Sequence, residues 1–157
     1  MNRHDPPRHR DWMRLALAEA SRAAAQGEAP VGAVIVRNGI LLARAHNEKE
    51  AAGDPTAHAE ILAIRRAAAG LGGWRLSGAV LYATLEPCPM CAGAIIQARL
   101  ARLVYGAADC KGGGVDSVMR ILTPGVWNHQ VEVTAGVLAD ESALLLREFF
   151  QAKRRLE

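Results

Sequence analysis

Cysteine is scarce in this chain of 157 residues: there are three, an odd number, and two of them form a C-x-x-C at Cys88 and Cys91. That count and pattern suit a reducing compartment better than a disulfide framework, so the expected location is cytoplasmic. Half of the residues are hydrophobic, yet no apolar run approaches the about 20 residues that a membrane helix needs. Residues 1–10 are polar and proline-containing and lack the apolar stretch of a signal peptide; they are expected to form a frayed tail. Internal repeats and linkers are absent, so residues 1–157 read as one domain with room for one proper core. The glycine run Gly112, Gly113 and Gly114 lacks the G-K-[S/T] ending of a phosphate-binding P-loop.

Charge of one sign is also not dominant. The formal net charge is +3 and the sequence pI about 9.0, which is compatible with a polyanionic partner without requiring one. The cations Arg147, Lys153, Arg154 and Arg155 gather near the C-terminus. They read either as a solvated helix end that complements the helix dipole or as a phosphate-contacting patch.

The hydrophobic pattern alternates between helix and strand. Residues 11–26 place Trp12, Leu15, Ala16, Ala20, Ala23 and Ala24 on one helical face, with Gly27 as a stop. Residues 31–36 suit a buried strand, and Asn38-Gly39 is a two-residue hairpin signal that returns the chain over 40–46. Thr56 is the expected N-cap of a helix over 57–69, ended by Gly70, Gly72 and Gly73. Further strands are expected at 80–84, 102–105 and 131–134. Helices are expected at 88–98, with Pro89 in the first turn, and at 139–154. Loop covers 109–116, made flexible by its three glycines. The fold class that follows is α/β, a three-layer α/β/α sandwich around a five-stranded mixed sheet.

Two segments carry chemistry: His58-Ala59-Glu60 and Pro87-Cys88-Pro89-Met90-Cys91. Alone, H-x-E is common by chance, and C-x-x-C is equally a redox pair or half of a structural site. In this order, each at an expected helix start, they supply one imidazole and two thiolates. A structural zinc site closes with four protein ligands, whereas a catalytic one has three and leaves a position for water. Glu60 need not be a ligand and is free to carry protons. The arrangement reads as a zinc hydrolase with His58, Cys88 and Cys91 as ligands, one Zn²⁺ per subunit and Glu60 as the catalytic acid–base. Cys110 reads as a loop residue without a metal role. His4, His9 and His46 carry no partner signal, and His129, beside Trp127, is either structural or part of an RNA surface.

H-x-E followed by P-C-x-x-C is an established signature of zinc nucleobase deaminases. The likeness extends through residues 28–34, Asn47, 54–60, 84–94, 106–109, 138–141 and Phe149-Phe150. Over about residues 11 to 155 the chain resembles the bacterial tRNA-specific adenosine deaminases of the cytidine deaminase superfamily. The resemblance implies a cytidine-deaminase-like fold with the last two strands parallel. It implies hydrolytic deamination of adenosine to inosine at the wobble position of an arginine tRNA, releasing ammonia, with the anticodon stem-loop as partner, no membrane, and a homodimer; the helix 92–98 is apolar enough to contribute to one. It also implies that Val31 packs on the base, Asn47 holds the purine, Asp109 lies near a ribose, and Phe149 and Phe150 stack on flanking bases. Lys153, Arg154 and Arg155 are then RNA phosphate contacts. The alternative is a free-base or nucleotide deaminase acting on guanine or cytosine.

Overall fold

The structure, a computed structural model, describes residues 6–157. Its elements run α1 (Pro6–Ala25), β1 (Gly32–Arg37), β2 (Ile40–His46), α2 (Lys49–Ala52), α3 (Ala59–Leu71), β3 (Val80–Leu85), α4 (Pro89–Gln97), β4 (Arg102–Ala107), β5 (Glu132–Thr134) and α5 (Ala139–Leu156). The five strands form one sheet in the order β2-β1-β3-β4-β5. β1 is antiparallel to β2 and β3, while β3, β4 and β5 run parallel. The expected mixed sheet and its parallel final pair are both present.

Strand alternation builds the three layers. Ala33 and Ile35, Leu81 and Ala83, and Leu103 and Tyr105 pack with Ala59, Ala63 and Ala67 of α3 and with Ala92, Ile95 and Ile96 of α4. The intervening Val34, Val36, Tyr82 and Val104 pack with Met13 and Ala16 of α1 and with Leu138. Both faces are covered, which is why these strands read as continuous apolar runs. Gly32 admits α1 directly onto β1: a Cβ there would lie 1.9 Å from the Ala16 carbonyl oxygen.

The Asn38-Gly39 turn has φ of 51° and 74°, the left-handed pair that a tight hairpin requires. β2 therefore returns parallel to β3, and this connectivity has a consequence for function. The start of β1 and the ends of β2, β3 and β4 all reach the same edge of the sheet, so Val31, Asn47, Cys88 and Asp109 leave or enter there.

Three expectations are corrected. Residues 6–10 are not tail but the first turns of α1. Prolines are tolerated at a helix start because their missing N–H has no intrahelical partner there, and His9 Nδ1 lies 2.9 Å from the Tyr82 hydroxyl. Residues 1–5, with His4, lie outside the described residues. Thr56 does not cap α3; its N–H and hydroxyl both donate to Asp54 Oδ1 at 2.8 and 2.7 Å, and His58 takes the N-cap position. Helix α2 was not expected. The buried carboxylate of Glu28 accepts the N–H groups of Glu50 and Ala51 at 2.8 and 3.0 Å and satisfies the start of this one-turn helix.

His46 proves to have partners. Glu19 of α1 is buried beneath β2, with Arg44 Nε at 2.5 Å and His46 Nδ1 at 2.7 Å from its two oxygens. Burial pushes the Glu19 carboxyl up, but hydrogen bonds from His46 and Arg44, and the charge of Arg44, hold it below its ordinary value of 4.5. A carboxyl lowered in the folded state contributes stability above its unfolded value, and that contribution is lost as pH falls through the folded value. Glu19→Gln is expected to destabilise the protein by roughly 1–3 kcal/mol near neutral pH. The gap to wild type should narrow as pH falls below about 4.5. Urea denaturation midpoints measured across that range check this, and a gap that stays constant with pH would contradict it.

Candidate active site

Helices α3 and α4 begin beside each other at the edge where β2 and β3 end. Their N-cap residues are His58 and Cys88, both in extended conformation with ψ of 149° and 171°, and neither side chain caps its own helix. The two side chains turn instead toward each other. His58 Nδ1 lies 3.6 Å from Cys88 Sγ and 3.5 Å from Cys91 Sγ. The three donor atoms lie within 4.8 Å of one another, a set that could hold a metal ion. Pro89, as expected, occupies the first turn of α4.

The electrostatics of the two thiols are opposite. The hydrogen bond from Cys91 and then that from His58 outweigh burial and pull the Cys88 thiol down to about 4. Cys91, which donates to Cys88 and is more deeply buried, is pushed far up. His58 is raised by its hydrogen bond to Cys88. One thiolate is thus preformed next to a second thiol whose proton must leave when a cation binds.

Glu60 follows His58 by two residues, in the first turn of α3. Its side chain is buried, and burial, followed by weaker opposing and reinforcing contacts, pushes its carboxyl up. Among the described residues, Glu60 Oε1 is the one buried side-chain polar atom with no hydrogen-bond partner. Buried polar atoms are almost always paired, and an exception calls for an explanation such as a catalytic role or a bound water or ion.

Asn47 is also buried, and its Oδ1 accepts the Ala59 N–H at 2.9 Å. That bond fixes the amide orientation and leaves its two N–H donors for a ligand. The Asn47 N–H donates to the Val31 carbonyl at 3.2 Å, and Val31 is buried. Val31, Asn47, His58 and Glu60 are therefore brought together.

The loop after β4 is not flexible in the way its glycines suggest. Gly113 and Gly114 are there for space: a Cβ on Gly113 would lie 2.3 Å from the Glu86 carboxylate, and one on Gly114 would lie 2.6 Å from Pro89 N. Glu86 was missed by the sequence reading, although an acid between a buried strand and Pro87-Cys88 is a signal. Burial opposes its ionisation, but the Ser117 hydroxyl and the backbone N–H groups of Asp116, Asp109 and Ser117 overcome this and hold the carboxyl at about 2. Asp109 Oδ1 accepts the N–H groups of Lys111 and Gly112, each at 3.1 Å, a local turn that aligns the start of this loop.

Other candidate residues lie apart from the donor cluster. Cys110 is exposed. His129 Nε2 lies 2.7 Å from the Leu100 carbonyl oxygen, a structural contact. On α5, Ser142 donates to the Thr84 carbonyl, and Leu146 one turn later packs against the core. Phe149 is half-buried, Phe150 is exposed, and their rings meet edge to face at 5.2 Å. Lys153, Arg154 and Arg155 are exposed in the last turns. In α4, Ala92, Ile95, Ile96 and Ala98 are spent on the chain's own core. What the helix presents outward is Met90, Gly93, Ala94 and Gln97.

A family model for the MafB19-like deaminases matches residues 8–154. The chain is 49% identical over 144 residues to the tRNA-specific adenosine deaminase of Bacillus subtilis, covering 92% of this chain and 89% of that protein. It is 50% identical over 143 residues to that of Agrobacterium fabrum, covering 91% and 94%. A solved structure from studies of A-to-I editing by tRNA:A34 deaminases at the wobble position superposes with a TM-score of 0.84 at 48% identity, covering 87% of this chain and 99% of that one. The guanine deaminase of Nitrosomonas europaea superposes with a TM-score of 0.79 at 28% identity, covering 89% and 83%.

Competition with a chelator separates the cysteines. Cys91→Ser is expected to lower metal affinity by more than the roughly 10–100-fold that indirect changes around a metal cause. Cys110→Ser should leave it unchanged. Equal losses in the two variants, read by elemental analysis after dialysis, would place Cys110 in the cluster and undo this assignment.

Proposed function

The chain belongs to the MafB19-like deaminase family and to the tRNA-specific adenosine deaminases, and from that premise we propose that it deaminates adenosine to inosine at the wobble position of a tRNA anticodon, an arginine tRNA being the expected substrate. One observation carries the reading: the orphaned carboxylate oxygen of Glu60 in a buried site beside a cluster of one imidazole and two thiols.

The donor set fits zinc. Tetrahedral Zn–S and Zn–N bonds of ordinary length put the nitrogen and sulfur about 3.6 Å apart, which matches the 3.5 and 3.6 Å from His58 Nδ1 to the two sulfurs. Bound by His58, Cys88 and Cys91, zinc supplies a low pKa for water, about 7 in place of about 15.7.

The rest is work for the chain's own groups. Glu60, its carboxyl raised by burial, accepts a proton from water and passes it to the ring nitrogen beside C6 of adenine. Water's oxygen adds at C6; the new C6 hydroxyl then gives its proton to Glu60, which passes it to the amine, so the C6–N bond breaks, ammonia leaves and inosine remains. Asn47 holds the purine through its free amide N–H groups, with Val31 against the base. Asp109, at the loop mouth, lies near a ribose. Phe149 and Phe150 are the stacking residues for flanking bases. An anticodon loop presents its target base at low unstacking cost.

The protein acts as a homodimer in the cytoplasm on this reading. Cys88, Cys91 and Cys110 form no disulfide, and among the described residues no helix is long and apolar enough to cross a membrane.

Two experiments test this. Ammonia release from an anticodon stem-loop should exceed that from free adenosine, guanine and cytidine; preference for free guanine would favour a free-base deaminase. In the same assay Glu60→Ala should keep its zinc and its RNA affinity while turnover falls by about 10²–10⁴-fold. Near-normal turnover with zinc intact would remove Glu60 from the chemistry. Replacing Lys153, Arg154 and Arg155 together by Ala should weaken RNA binding and reduce the slope of log affinity against log salt by up to about 2. An unchanged slope would leave the cluster as a solvated helix end.

A further inference from the structure

Residues 109–117 form neither helix nor strand, yet they are tied at many points to the segment leading into the metal motif. The Asp109 N–H donates to Glu86 Oε1 at 3.0 Å, and the Ser117 hydroxyl donates to the same oxygen. The N–H groups of Val115, Asp116 and Ser117 converge on Glu86 Oε2 at 3.1, 2.8 and 3.0 Å. Three successive amides on one oxygen make a backbone nest of the kind that binds anions, and here the anion is a side chain of the protein itself. Glu86 is buried, and its own N–H donates to the Ala107 carbonyl at 2.8 Å, so it stands fixed between the ends of β3 and β4.

The glycines show how close the fit is. The carboxylate occupies the space in which Gly113 would carry a side chain. Gly114 lies against the Cys88-Pro89 peptide, and its N–H donates to the Pro87 carbonyl at 2.7 Å. Farther out, the Tyr105 hydroxyl donates to Asp116. Every one of these attachments meets the chain between Glu86 and Pro89, the first residue of α4, or in the second half of β4.

We propose that Glu86 is a positioning residue for the RNA: its buried carboxylate clamps residues 109–117 onto the Cys88-Pro89 segment, and so sets the loop that carries Asp109 at the mouth of the site. The inference rests on the reading of the site as an RNA deaminase. Glu86 touches no reacting atom; its oxygens are filled by five donors of the loop. Loss of the clamp should therefore weaken substrate binding while sparing the chemical step. A merely structural anchor would instead lower stability or metal content and leave KM alone.

Glu86→Gln tests this with little change in shape, since one acceptor oxygen becomes an amide nitrogen facing N–H donors. The protein should retain a full complement of zinc. KM for the anticodon stem-loop should rise roughly tenfold or more, with kcat within about threefold of wild type. Amide hydrogen exchange at residues 115–117 should accelerate on the order of tenfold or more. Ser117→Ala, which removes one donor and leaves the motif segment intact, should move KM and exchange in the same direction by less. Unchanged KM and unchanged exchange in Glu86→Gln would overturn the proposal, as would loss of zinc with KM unaltered. If Glu86→Gln does not fold, Ser117→Ala decides alone, and a normal KM there overturns it. A wild-type protein inactive on every RNA would refute the deaminase reading instead, and slow, unchanged exchange in the variants would then overturn the clamp independently.

Discussion

The site depends on one constraint: two helix starts are held side by side at the same edge of a sheet that is covered on both faces. Because β1 is antiparallel to both its neighbours, β2 and β3 end at the same edge, and the helices that follow them begin there. Small residues make the approach possible. Gly32 lets α1 sit on β1, and the alanines of α3 and α4 let both helices lie close to the strands. Without that packing His58 and Cys88 would be two unrelated N-caps.

Buried carboxylates divide the labour around this edge. Glu19 receives Arg44 and His46, Glu28 receives the start of α2, and Glu86 receives the loop after β4. Each is buried and each has its oxygens filled by donors of the chain, so each fixes its surroundings. Glu60 differs in one respect, an oxygen with no partner in the protein. Burial pushes its carboxyl up, because desolvation disfavours the charged form. The other three carboxyl groups build the frame, and the unpartnered oxygen is that of Glu60.

The loop of residues 109–117 shows how misleading composition can be. Three consecutive glycines suggest freedom, because glycine gives up the most conformational entropy on folding. Here Gly113 and Gly114 are present because a carboxylate and a peptide group stand where side chains would be. The same residues that loosen an isolated loop allow this one to be held tightly.

Much was legible in the chain by itself. Strands and helices alternate in the hydrophobic pattern, Asn38-Gly39 turns the hairpin, and the motifs that hold His58, Cys88 and Cys91 mark a set that could hold a metal ion, because periodicity, left-handed turns and ligand spacing are local properties. Thr56 looked like a cap for an equally local reason, but Asp54 took its hydroxyl. Only the tertiary structure decided what depends on distant residues meeting. It paired His46 with Glu19, filled Glu86 with the amides of a loop more than twenty positions away, and left Glu60 unpaired. Hydrogen-bond satisfaction in a buried site is a property of the whole packed arrangement, and no window of sequence contains it.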